Sequence, residues 1–95
     1  MKAEQFAAIV EEQQKHCTDI LITKAKEYAT ADRLHNFKVA ADLQMTTPIN
    51  ALAGMLAKHT VSIYDMCRSG QTYSAAVWDE KITDHINYLL LLKAL

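Results

Sequence analysis

The chain has 95 residues, 51% hydrophobic and 22% charged, with 10 Lys plus Arg set against 11 Asp plus Glu. That length makes a single helical domain, residues 1–95, with one modest core, and the composition excludes a disordered, collagen-like or disulfide-scaffolded chain. Two Gly and one Pro leave little material for the turns of an all-β fold, and a net charge of -1 gives no electrostatic footprint for a long nucleic acid.

The predicted elements are helices throughout. Helix one runs from about Ala3 to Tyr28, with Phe6, Ile9, Val10, Gln13, Cys17, Ile20, Leu21, Lys24 and Tyr28 on one face. Residues 29–33 break it. Asp32 can cap a short second helix, Arg33 to Leu43, whose apolar side is Leu34, Phe37, Ala40 and Ala41. Thr47 before Pro48 is a strong start for helix three, a hydroxyl cap followed by a residue whose fixed φ suits the first turn. Helix three runs to Arg68 with a stripe of Ile49, Leu52, Ala53, Leu56, Thr60, Ile63 and Cys67, and Gly70 stands where a terminator belongs. Helix four runs from about Val77 to the end, with Trp78, Ile82, His85, Leu89 and Leu92 inward. Short connections make the expected architecture an all-α, four-helix antiparallel bundle.

Met55, His59, Ser62 and Met66 form a second shoulder on helix three, and Leu89 to Leu92 with Leu95 surround the axis of helix four. A helix apolar all round is buried on several sides, so a homo-oligomer is expected. Cys17 and Cys67 have no metal or redox spacing and read as small inward-facing hydrophobes. The opening residues lack a secretory pattern, and the longest apolar stretch, Tyr88 to Leu92, is far short of the ~20 residues that span a bilayer. A cytoplasmic protein without a membrane partner is expected.

Chemistry must therefore rest on polar residues in apolar places. Lys24 sits on the helix-one stripe, either snorkelling to water or meeting a phosphate or carboxylate, with Glu27 and Tyr28 one turn on. Arg33, His35 and Asn36 open helix two, where N–H groups and the dipole favour an anion; simple capping is the alternative. Tyr28 and Trp78 can stack a base or serve as core. His59 and His85 read as core histidines before ligands, and Asp84 beside His85 is a poor metal spacing, since consecutive residues point about 100° apart. Lys81, Asp84, Asn87 and Tyr88 share helix four; Lys58, Ser62 and Asp65 share a face of helix three. There is no Gly-rich phosphate loop, Ser nucleophile elbow or Cys–His nucleophile spacing.

The segments KAKEYA, DRLHNF, KHTVSIYD and WDEKITDHINYLLLL, between Lys24 and Leu92, resemble small helical proteins of phages and prophages of Gram-positive bacteria associated with nucleotide modification. More distantly they resemble the MazG-type all-α nucleotide pyrophosphohydrolases, oligomeric bundles whose paired acidic motifs hold magnesium on a nucleoside triphosphate. Laid on this chain, that resemblance places the first motif on Lys58, His59 and Ser62 and the second on Lys81 and Asp84, leaving one carboxylate. A slip of one turn would bring in Glu11 and Glu12, or Glu27 and Glu80. What the resemblance implies is a nucleotide-shaped pocket that attracts phosphate directly, with no cofactor. The expected function is non-catalytic binding of a nucleotide or related phosphorylated small molecule, extending to sequestration of a nucleotide messenger of antiphage defence. The alternatives are a magnesium-dependent nucleotide pyrophosphohydrolase and a protein-interaction module.

Overall fold

A computed structural model of the chain describes residues 1–23 and 32–95. Within them the structure is helical: α1 Ala3–Thr18, a π-helical turn Asp19–Thr23, α2 His35–Gln44, α3 Pro48–Arg68 and α4 Ala75–Ala94. None of these helices is long and apolar enough to cross a membrane.

The starts and stops follow from single residues. The side-chain Oε1 of Gln5 accepts from the Lys2 backbone N–H at 2.8 Å and opens α1. Thr47 accepts from the Asn50 N–H at 3.2 Å, with Pro48 in the first turn, as expected for α3. Ser74 caps α4 through the Val77 N–H, so α4 begins two residues earlier than the apolar pattern indicates. Gly70 follows α3 at φ 71°, the left-handed conformation a glycine adopts without cost. At the end of α2 that conformation falls on Met45, φ 53°, while the Thr46 N–H reaches back to Ala41 O at 2.9 Å. A Cβ in this region costs about 1 kcal/mol, and the exposed Met45 side chain offers no packing in return. Met45→Gly is therefore expected to stabilise the protein by about 0.5–1 kcal/mol, read as a rise in Tm.

Helix α3 packs against both α2 and α4, and α1 packs mainly on α4. The core comprises Cys17, Phe37, Ala41, Ala51, Leu52 and Met66. Leu52 is fully enclosed, and the small side chains of Ala41 and Ala51 let α2 and α3 approach closely. Along α1 and α4 contacts run in the same order. Gln13 donates to Thr83 Oγ1 at 2.8 Å, and Ile20 and Leu21 further on share a cleft with Asn87, Tyr88 and Leu91. Where they meet, α1 and α4 are thus parallel, a departure from the all-antiparallel arrangement expected.

Several inward assignments are corrected. Helix α4 buries Thr83 and Asn87, while Ile82 and Leu89 are exposed. On α3 the buried line joins Leu52 to Met66, fourteen positions or about four turns apart. Cys67, the next residue, points about 100° away from that line and is exposed, whereas Cys17 is buried as expected. Ile49, Phe6, Ile9 and Val10 are exposed as well. Helix α2 begins at His35, not Arg33, because Asp32 caps the turn before it. Helix one ends its α-helical hydrogen bonding at Thr18; its predicted continuation through Lys24 to Tyr28 lies outside the described residues.

Candidate functional site

The second half of α4 offers one face to the head of α2: Asp84, Asn87, Tyr88 and Leu91, at helical spacings of three and four. Opposite stand Asp32, Arg33, His35, Asn36 and Phe37, and the π-helical turn closes the end with Ile20 and Leu21. Together they enclose a cleft of about 470 Å³, in the range of small-molecule sites.

Each wall is held by identifiable contacts. The Asp32 carboxylate accepts from the Leu34 N–H at 2.9 Å and from Lys38 Nζ at 2.7 Å, an Asx-type turn that sets the entry to α2. Arg33 Nη2 donates to Leu21 O at 3.4 Å, tying the head of α2 to the π-helical turn. The Tyr88 ring lies 4.6 Å from the His59 ring of α3, tilted by 37°, and 6.3 Å from Phe37, which meets it edge-on. An aromatic side chain packed on two sides presents a preset surface. Asn87, 5% exposed, has no hydrogen-bond partner for either side-chain atom among the described residues.

The hydrogen bond from Lys38 is the main cause that holds the Asp32 carboxyl below its ordinary value of 3.8, with help from the Leu34 N–H. A folded-state pKa below the unfolded one contributes stability above pH 3.8, lost as pH falls through the lower folded value. Lys38→Met is expected to return the Asp32 titration towards 3.8, followed by carboxyl-carbon NMR.

Of the residues singled out by sequence, Arg33, His35, Asn36, Asp84, Asn87 and Tyr88 converge on this cleft. His59 stands behind Tyr88. Lys58 is exposed on α3, Ser62 and Lys81 are half-buried, and none of the three lines the cleft. Among the described residues the Lys or Arg side chain that lines the cleft is accordingly Arg33, not Lys58 or Lys81. Lys24, Glu27 and Tyr28 lie outside the described residues. Among the described residues no three His, Cys, Asp or Glu side chains form a group that could hold a metal ion. Sequence reasoning missed the apolar walls, Ile20, Leu21, Phe37 and Leu91. Their signal is the run Asp84, Asn87, Tyr88, Leu91, a mixed polar and apolar stripe on one helical face.

No protein-family model, curated protein or solved structure gives a significant match to the chain.

Proposed function

We propose that the cleft between α2 and α4 holds a nucleotide or a related phosphorylated small molecule without turning it over. The observation that carries this is the pairing of Arg33, at the head of α2, with the ring of Tyr88 across a cleft of about 470 Å³. Phosphate suits the Arg33 guanidinium and the positive end of the α2 dipole. Asp84 is negative and Asp32 is engaged with Lys38, so the anion belongs at the Arg33 side. Asp84 can then accept from a sugar hydroxyl or a base amine. The likeness to phage-borne proteins extends the reading to sequestration of a nucleotide messenger. Thermal-shift titration with mononucleotides, cyclic nucleotides and ADP-ribose derivatives tests it. A ligand at a hundredfold excess over its Kd adds about 2.7 kcal/mol, a rise in Tm of roughly 10 °C or more for a domain of this size. No shift with any of them rejects the reading; magnesium-dependent release of pyrophosphate from a triphosphate makes the protein a catalyst.

Self-association belongs to the same reading. The chain exposes 7194 Å², where a compact monomer of its mass exposes about 5,500 Å². Its radius of gyration is 15.4 Å against about 12 Å for a compact chain of this length. The excess, about 1,700 Å², exceeds the ~800 Å² per partner of a standard interface. Phe6 and Ile9 are 61% and 51% exposed and continue the face of α1 on which Gln13 and Cys17 meet the rest of the fold. A second copy of the chain covering Phe6, Ile9 and Val10 accounts for the exposed stripe.

A further inference from the structure

Every residue from Met1 to Glu12 is exposed, although α1 begins at Ala3. Gln13, which donates to Thr83 at 2.8 Å, and the buried Cys17 hold α1 to the fold. The helix before them, Ala3 to Glu12, is about 15 Å long. A helix that short is marginal in water by itself, because most helical stability comes from packing an apolar face. This one carries such a face. Phe6, Ile9 and Val10 are 61%, 51% and 38% exposed and fall within an arc of about 100°.

The charges beside the stripe select what covers it. Lys2, the N-cap, lies on the Ile9 side of Phe6, and Glu12 lies further round the same side, about 80° from Lys2. In an antiparallel helix pair the same edges of the two helices meet, and charges on those edges set the orientation. Phe6 placed opposite Ile9 of a second copy brings Lys2 to within one position of that copy's Glu12, about 1.5 Å along the axis. The symmetry of the pair makes this contact twice. A parallel pair would instead set the two Lys2 ammonium groups together, each ten positions, about 15 Å, from the other copy's Glu12. Glu12 meets His16 of its own helix at 3.9 Å but is 71% exposed, and a carboxylate has acceptor capacity for a second donor.

We propose that the opening turns of α1 pair antiparallel with those of a second copy, Phe6 on Ile9 and Lys2 beside Glu12 in both directions. This pairing rests on self-association through the α1 stripe and names the surface that covers it.

Sedimentation equilibrium at low salt, where exposed charges are least screened, compares wild type, Lys2→Glu, Glu12→Lys and the variant carrying both changes. Each single change turns two attractions into two repulsions and is expected to raise the dimer Kd by about tenfold. The double variant exchanges the charges and should return to within about threefold of wild type. Both positions are exposed, and an acid at the head of α1 suits the helix dipole, so folding is not at stake in Lys2→Glu. In wild type, the amides of Phe6 to Val10 should exchange more slowly at high protein concentration than at low. Single variants that associate as wild type does, or a double variant as weak as the singles, overturn the antiparallel pairing and leave self-association standing. A wild-type chain that stays monomeric at millimolar concentration removes self-association, and this pairing with it.

Discussion

Arg33→Ala is expected to weaken binding of a phosphorylated ligand by about 10–100-fold, the loss of one charge-assisted hydrogen bond to an anion. The guanidinium is exposed enough to reach a ligand and spends one donor on Leu21 O at 3.4 Å, a long bond in a side chain with five N–H groups. Truncation should therefore cost the fold little, so a drop in affinity with Tm held within a few degrees separates recognition from folding. Arg33→Lys should recover only part of the affinity, since an ammonium cannot present the planar fork. Isothermal titration at two salt concentrations checks both. An Arg33→Ala variant that binds as wild type does would place the anion elsewhere.

Phe6→Glu combined with Ile9→Glu is expected to yield a monomer of 10.7 kDa, where the wild type elutes as at least a dimer by light scattering at micromolar concentration. Both side chains lie on the exposed stripe of α1, and two carboxylates placed in an apolar interface have no partner to offset their desolvation. Ligand affinity should survive. Among the described residues before Asp32, the cleft is lined by Ile20 and Leu21 of the π-helical turn, eleven or more positions beyond Ile9, about 16 Å along a helix. A wild-type chain that runs as a monomer, or a double variant that keeps its size, removes this face as the contact.

The architecture was legible where single residues dictate backbone geometry. Thr47 with Pro48 marks the head of α3, and Gly70 its end, both as the sequence indicates. Phe37 and Ala41 are the buried side of α2, again as the spacing indicates. The rotation of α4 was not legible, for a physical reason. Helix four is apolar on nearly every side beyond Tyr88, so hydrophobicity alone has no direction to point inward. The fold turns Thr83 and Asn87 inward, and part of the leucine surface outward. A pattern that assigns polar residues to water places these two on the wrong side. The site followed a similar course. The Arg33, His35 and Asn36 cluster was readable from a helix start, and Asp84, Asn87 and Tyr88 from their spacing. That α1, through its π-helical turn, would close the same cleft depends on its running parallel to α4, a tertiary choice that no local motif encodes. The lysines offered by the MazG-type resemblance, Lys58 and Lys81, were placed by analogy with motif positions; among the described residues the cleft's Lys or Arg side chain is Arg33, in the turn before α2.

Amide and side-chain NMR of the protein titrated with a mononucleotide tests the central claim most directly. The account predicts saturable shifts concentrated at Arg33, His35, Asn36, Asp84, Asn87 and Tyr88, with the exposed stripe of α1 unmoved. Shifts that spare these groups and gather on another surface, or none at millimolar ligand, would contradict it.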